Sequence, residues 1–483
     1  SRHFIQVTAT FSDGSRRDVT RYARFEAADA SLIDVTPEGE ARLLRHGEGV
    51  VRVAYEDHVE IARLTAPYAL TTQPEWYAER RNVVDEHVMN KLASLRLEPS
   101  APCDDSAFLR RASLDLRGVL PSAEQARDFL SDSSPDKRTK LVEQLLASPE
   151  FIDYWTLQFN DLLQNRKERD HDVRGSKHVR GFHAWLRRQV AAERPWNELA
   201  CEVLTASGDC INEPEVGYFV VTVGEKRPEE SEVADSVAQA LLGKRIGCAR
   251  CHKHPLERFT QDDYYHFVGF FSRIAFERTK PEEGPTRLLF GTQHTRNLER
   301  QIEKEQEKLA ELEAKNEDEK TIEETQQRIE KLNEDVARAL SESVGARQPR
   351  TGEFLIPQPL DRSTMEIAAG EDPRLALAAW INGPGRRQFA GAMVNRLWRH
   401  FFGVGLIEPV DDLRATNPAS NQPLFEALTT EYIESGYDLK HMLRLMVSSR
   451  TYQLASTTSE GNVHDDRYHS HFLARRLPAE VLL

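Results

Sequence analysis

The chain has 483 residues, 39% of them hydrophobic and 29% charged, with 25 Gly and 23 Pro. At about 150 residues per domain this length predicts roughly three domains, and the composition excludes global disorder and collagen-like repeats. Against 64 Lys and Arg stand 78 Asp and Glu, a formal net charge of -14 with no concentrated basic patch, so no nucleic-acid partner is expected.

Residues 1–67 alternate apolar and polar positions in short runs such as Phe4-Ile5-Gln6-Val7-Thr8-Ala9-Thr10-Phe11 and Val50-Val51-Arg52-Val53-Ala54-Tyr55. The runs are separated by Ser12-Asp13-Gly14 and Gly47-Glu48-Gly49, and period-two alternation between turn signals predicts a small all-β sandwich. Through Thr8–Ser15, Asp18-Val19-Thr20, Phe25, Asp29, Val35 and the Gly47-Glu48-Gly49-Val50 turn, the segment resembles a bacterial immunoglobulin-like domain of group 2. That resemblance implies a surface spacer or adhesive module, hence an extracytoplasmic setting in the periplasm or at the cell surface. An ordinary sandwich with no binding role is the alternative.

Pro67 to Pro74 reads as a linker. From 75 to 275 the apolar spacing becomes helical, as in Val83, Val84, His87 and Leu92, then Phe108, Leu109, Ala112 and Leu116, then Leu141, Leu145 and Leu146. This unit is therefore expected to be all-α, with helix starts or turns near Pro121-Ser122, Ser134-Pro135-Asp136 and Glu193-Arg194-Pro195-Trp196. Trp155, Trp185 and Trp196 are expected in the core, since each buries a large apolar area.

Between 301 and 340, 20 of 40 positions are charged. The apolar residues Leu298, Ile302, Leu309 and Leu312, then Ile322, Ile329, Leu332, Val336 and Leu340, are spaced by three, four or seven. With Asn316-Glu317-Asp318-Glu319 as the break, residues 297–341 predict a protruding coiled-coil helical hairpin, whose mixed-sign surface suits a spacer better than a partner-docking arm. Residues 351–483 return to helical packing, with Leu375, Ala379 and Trp380, then Val394, Leu397, Trp398 and Phe401 at core spacing. The final run from Leu477 through Pro478 to Leu483 reads as the opening of a helix with no terminator, which predicts a longer parent protein. The expected fold class is multidomain: an N-terminal all-β immunoglobulin-like sandwich, then a mainly α-helical body with the coiled-coil hairpin protruding. No run of about 18 apolar residues is present, so no transmembrane segment is expected in this chain, and its first residues lack the basic start and apolar run of a signal peptide, one that could have been removed or never included.

Cys248-Ala249-Arg250-Cys251-His252 is a C-x-x-C-H sequence, the attachment motif of c-type haem. Two thiols three positions apart can each add to a porphyrin vinyl group while the adjacent imidazole ligates the iron, so Cys248, Cys251 and His252 are the expected haem c residues. Upstream, Val233, Val237, Ala240 and Leu241 mark a helix that Gly243 ends. Downstream, Thr260 is an expected N-cap with Asp262 and Asp263 in the first turn. The apolar face of Tyr264, Phe267, Val268 and Phe271, with Phe270 beside it, reads either as a porphyrin wall or as domain core. His254 lies too near the proximal side to reach the opposite face of the same iron and is assigned a supporting role behind the ligand. A distal ligand is sought among His266, His178, His183 and Met393, or is absent. An open sixth position would admit a haem-dependent oxidoreductase in place of an electron carrier.

The run from Gly243 to Tyr265, which contains Gly247-Cys248-Ala249-Arg250-Cys251-His252-Lys253-His254-Pro255 and Phe259-Thr260-Gln261-Asp262-Asp263-Tyr264-Tyr265, resembles the core motif of the planctomycete cytochrome-like domain of the PSCyt type. Phe108-Leu109-Arg110-Arg111-Ala112-Ser113-Leu114-Asp115-Leu116-Arg117-Gly118 and Leu145-Leu146-Ala147-Ser148-Pro149 resemble the N-terminal part of that domain. Asp372-Pro373-Arg374, Val394-Asn395-Arg396-Leu397-Trp398, Phe402-Gly403-Val404-Gly405-Leu406, Pro409-Val410-Asp411-Asp412 and Ser449-Arg450-Thr451-Tyr452-Gln453 resemble the planctomycete-specific partner domain that follows it. The resemblance implies a secreted or cell-surface protein with a c-type haem site. Lys253, Leu256-Glu257 and Phe259 depart from residues common in the family, which changes the surroundings of the ligands while keeping the ligands themselves.

Two rivals use the same residues. Cys248, Cys251 and His254 could hold zinc, although no second ligand pair lies nearby. A redox-active C-x-x-C disulfide would prefer a strand-to-helix junction, and no such strand is expected here. Cys201 and Cys210 could close a disulfide in an oxidising compartment, leaving Cys103 unpaired. Hydrolase motifs are absent, and Asp262, Asp263, Asp411 and Asp412 are expected to be solvated caps or surface. The function read from the sequence is electron transfer by an extracytoplasmic c-type haem-binding protein, with the redox partner protein or small acceptor unspecified. The alternative is a haem-free surface interaction or glycan-binding protein with a structural Cys/His zinc site, engaging a surface polymer or protein through the immunoglobulin-like unit and the hairpin.

Overall fold

A computed structural model describes residues 2–56, 58–165, 175–222, 230–254, 257–277, 287–290, 293–314, 319–341, 344–368, 370–477 and 479–482. At the N-terminus, Arg2–Phe4, Glu40–Leu43 and Ile33–Val35 form one antiparallel sheet. Arg24–Ala27, Gly47–Tyr55 and His58–Ala66 form a second, and Thr8–Thr10 pairs with Arg16–Asp18. Ile33 and Ala41 from the first sheet meet Val51 and Val53 from the second in a small apolar core. Gly47-Glu48-Gly49, expected as a turn, instead opens the long strand Gly47–Tyr55. A Cβ on Gly49 would stand 2.8 Å from both Ile33 Cβ and Leu43 Cδ2, so glycine there serves the close approach of the two sheets.

The β unit is tied to the helical body by polar contacts. The Glu48 amide donates to the Tyr468 hydroxyl at 2.8 Å, Lys91 Nζ lies 2.6 Å from Glu48 Oε1, and Arg63 Nη2 donates to the Ala419 carbonyl at 3.1 Å. The expected linker has no regular structure over 67–73, yet its Tyr68 amide donates to the Leu95 carbonyl.

Helices follow at Val83–Leu95, Asp105–Arg117, Ala123–Ser131, Lys137–Leu146, Pro149–Leu162, Gly175–Ala191, Trp196–Thr205, Glu230–Leu242 and Gln261–Val268. Their starts obey local chemistry: Asn82, Asp104, Ser122, Ser148 and Thr260 each accept a backbone amide as N-cap, and Ser122 forms a capping box with Gln125. The three tryptophans are buried. Trp155 donates to the Leu116 carbonyl at 3.1 Å, and Trp196 stacks between Phe159 and Phe389 at 5.2 and 6.0 Å. The all-α expectation needs a correction, because Ile274–Glu277 pairs with Arg287–Phe290, which pairs with Gly208–Asp209. β-Branched Ile274 and aromatic Phe276 in this strand favour an extended edge over a helical turn.

Gln293–Ala314 and Glu319–Ser341 are two long helices that pack on each other, with Arg328 Nε 3.2 Å from Glu305 Oε1. Asn316, Glu317 and Asp318, read as the break between them, lie outside the described residues. Among the described residues no helix is long and apolar enough to cross a membrane.

The C-terminal region adds helices Pro373–Asn382, Arg386–Phe402, Gln422–Glu434 and Leu439–Ser448. Beyond them the helical expectation fails: residues 449–477 are turns and irregular chain, although much of it is buried. Tertiary polar contacts replace the helical ladder there. Asp85, fully buried, accepts the amides of Arg450 and Thr451, and Asp115 accepts Tyr452 Oη at 2.8 Å and Arg475 Nη2 at 2.6 Å. One apolar core runs from Tyr77 to Tyr468. At the end of the chain Ala479–Leu482 is helical, and Pro478 lies outside the described residues.

Candidate functional site

The helix Glu230–Leu242 stops at Gly243, whose φ of +61° is one that L side chains rarely adopt. A Cβ at this position would approach Leu413 Cδ1 to 3.0 Å and Ala392 Cβ to 3.1 Å, and the Leu413 amide donates to the Gly243 carbonyl at 2.8 Å. Helix termination and contact with the C-terminal region therefore fall on one residue. The chain next makes a short 3-10 turn at Gly247–Arg250 that carries Cys248 and leads into Cys251 and His252.

Cys248, Cys251 and His252 are all exposed on this turn. His252 Nδ1 lies 2.7 Å from the Lys253 carbonyl oxygen. A ring nitrogen facing a carbonyl must be the protonated one, which leaves the Nε2 lone pair for a metal. The Thr260 capping box with Asp263 fixes the following helix, and Gln261 Nε2 donates back to the Arg250 carbonyl at 2.9 Å. Two accessible thiols beside an imidazole are the groups that covalent attachment of a porphyrin would use. The aromatic residues do not supply its wall: Tyr264, Phe267, Phe270 and Phe271 are fully buried and fill the domain core.

The four residues considered for an opposite ligand are engaged elsewhere. His266 Nδ1 faces the Ile356 carbonyl at 2.6 Å, His183 Nδ1 meets Asn160 at 2.9 Å, His178 Nδ1 lies beside Cys210 Sγ, and Met393 is buried in the core. His254 is buried while the two thiols are exposed, and among the described residues no three His, Cys, Asp or Glu side chains converge as a metal-holding group. Cys201 and Cys210 are not joined, which corrects the expected disulfide. Cys201 Sγ accepts from Asn382 at 3.1 Å, and Cys210 turns to His178 instead.

Beneath the turn lies a buried polar cluster that sequence spacing alone did not reveal. Asp235 approaches the turn from the preceding helix, its Oδ2 3.4 Å from where a Cβ on Gly247 would stand and 3.4 Å from Tyr264 Oη, and its Oδ1 is buried with no hydrogen-bond partner among the described residues. Burial pushes its carboxyl up to about 6. Lys244 places its ammonium 5.1 Å from the Phe259 ring, where burial lowers its basicity. Burial, together with the Arg414 charge, also lowers His254, which favours the neutral imidazole. Glu257 accepts the Ala415 amide at 2.9 Å.

Asp411, Asp412 and Asp263, expected as solvated caps or surface, are buried, although Asp263 does belong to the Thr260 capping box. Asp411 pairs with Arg245 at 2.6 Å, Asp412 with Arg414 at 2.6 Å, and Asp263 with Arg362 at 2.7 Å. Burial opposes the charge on Asp411, but hydrogen bonds from Arg245 and Gln239 outweigh it and hold its carboxyl below the ordinary range. The acid-rich 411–414 stretch was legible as a motif, but its docking against 243–259 depends on contacts more than 150 residues apart in sequence.

These features define a mainly helical protein with an N-terminal pair of small antiparallel sheets and an exposed Cys-x-x-Cys-His turn braced by its C-terminal region. Residues 83–276 match the family model PSCyt2, described as a protein of unknown function (DUF1549), and residues 373–483 match PSD1, described as a protein of unknown function (DUF1553). The two occur in the order of the planctomycete-type pair. No curated protein and no solved structure matches the chain.

Proposed function

We propose that this chain is an extracytoplasmic c-type haem-binding protein whose activity is electron transfer, with Cys248 and Cys251 as thioether attachment points and His252 as iron ligand. The observation that carries the reading is the 2.7 Å approach of His252 Nδ1 to the Lys253 carbonyl on a turn with two exposed thiols. Held this way, the imidazole keeps its tautomer and orientation, and Nε2 points away from the backbone contact. Bound here, a haem supplies a one-electron iron couple, tuned by its axial ligands and its exposure to water. An exposed attachment turn favours exchange with an external redox partner over a buried substrate pocket. In the same reading the N-terminal sheets are an immunoglobulin-like spacer, and the long helix pair is a coiled-coil hairpin that holds the body away from a surface.

The test is expression with a c-type maturation system followed by denaturation. Haem absorbance that stays with the polypeptide, and is lost in a Cys248→Ser/Cys251→Ser double variant, supports the proposal. A colourless chain that retains zinc overturns it in favour of the Cys248, Cys251 and His254 metal site.

A further inference from the structure

A second site lies far along the chain from the Cys-His turn, in the cleft between the β unit and the C-terminal region. Two cavities of about 740 and 410 Å³ adjoin there and share Asp29, Leu32, Asp466 and Arg467. Their size is that of small-molecule sites. The walls of the cleft are joined by the bond from the Glu48 amide to the Tyr468 hydroxyl, and Lys91 of the first helix pairs with Glu48. Gly47 supports this closure: a Cβ there would stand 3.2 Å from Tyr468 Oη.

The lining combines three chemistries. Leu44 and Val463, 48% and 52% exposed, offer aliphatic surface from opposite walls. His46 and Tyr68 stack at 5.4 Å and form a ring platform beside them. Among the described residues no hydrogen bond or ion pair to the side chains of His464, Asp466 or Arg467 is present, so a donor fork and a carboxylate acceptor line the groove together, with the Arg467 charge also felt by Asp29. Arginines and acids both line the groove, so it has no single-sign field to select a polyanion.

We propose that this cleft binds a saccharide chain. Vicinal hydroxyls are both donors and acceptors and can engage Asp466 and Arg467 together, while the apolar face of a sugar ring lies against His46, Tyr68, Leu44 and Val463. A purely apolar ligand would leave the charged groups desolvated and unpaired. The site is independent of whether the Cys-His turn carries haem.

The experiment is affinity electrophoresis of the full chain through gels containing soluble starch, xylan, mixed-linkage β-glucan or polygalacturonate. The expected result is retardation by at least one of them, with binding at least tenfold weaker in Asp466→Ala, Arg467→Ala and Val463→Asp. The Cys248→Ser/Cys251→Ser variant should be retarded like wild type. Thermal melts confirm that the cleft variants remain folded, as expected for side chains with exposed positions or no internal bonds. Absence of retardation in all four gels overturns the proposal. So does retardation that survives all three cleft substitutions, or retardation confined to polygalacturonate and abolished by salt.

Discussion

Arg245 Nη2 lies 2.6 Å from Asp411 Oδ1, so a residue three positions ahead of Cys248 is pinned by a carboxylate from the C-terminal region. Asp411 also accepts from Gln239 on the helix before the turn. Replacing it with Ala leaves both donors without their acceptor. Asp411→Ala is expected to destabilise the chain by about 1–3 kcal/mol in urea unfolding, and Asp411→Asn by less. Equal stability of the Ala variant and wild type would show that the pair is merely a surface contact.

The five cysteines should separate by accessibility. In reduced protein without haem, Cys248 and Cys251 are expected to react rapidly with a thiol reagent, whereas Cys103 and Cys210, both buried, should react only after unfolding. Burial raises the Cys201 thiol, so it should be slow. Mass spectrometry after brief labelling reads this directly, and rapid modification of Cys210 would contradict the packing described.

Asp235 carries a pH signature. Burial raises its carboxyl to about 6 in the folded chain, above the unfolded value of about 3.9. The folded state therefore holds the proton more tightly, and stability present at low pH is lost as pH rises through 6. Asp235→Asn keeps the shape without the charge, so relative to wild type it should gain about 1–2 kcal/mol between pH 4.5 and pH 8, allowing for partial solvent screening. A pH-independent difference between the two proteins would remove this carboxyl from the account.

His469 titrates in the opposite sense. Its Nε2 accepts from Trp398 Nε1 at 3.1 Å, which requires a neutral ring, and burial lowers it to about 4, with Asp465 opposing and His471 assisting. Because the folded value lies below the unfolded one, stability is complete above about 6.5 and declines as pH falls towards 4. That decline should amount to about 2–3 kcal/mol and be largely absent in His469→Gln. Tryptophan fluorescence in urea titrations from pH 7.5 to 4 measures both, and parallel curves would refute the assignment.

Much of the helical body was legible because its signals are local. Ser122 and Thr260 announce helix starts through their own side chains, Gly243 announces a stop through its backbone freedom, and Trp155 and Trp196 are too large to leave in water. The misread positions depend on distant partners. Gly49 looks like a turn residue until Ile33 and Leu43 approach it from another sheet, and Asp411 and Asp412 look solvated until Arg245 and Arg414 neutralise them. The Cys-x-x-Cys-His turn was found from spacing alone, but its bracing was not, because Asp235, Lys244 and Asp411 share no sequence pattern. The irregular chain from 449 to 477 lacks periodicity, since its backbone amides go partly to the Asp85 and Asp465 side chains, partly to its own tight turns and partly to Ala101.

The buried carboxylates Asp85 and Asp115 bear on how such a polypeptide can be inherited. Each sits on a helix of the first matched segment and accepts hydrogen bonds from the second: Arg450 and Thr451 for Asp85, which also takes the Arg81 amide, and Tyr452 and Arg475 for Asp115. Produced alone, the first half would leave these two acid side chains short of their donors, and the second would lose the scaffold for nearly thirty residues of loop. A gene fission between the two would therefore yield fragments that must be made together, and a recombination that swapped one half would have to bring its counterpart.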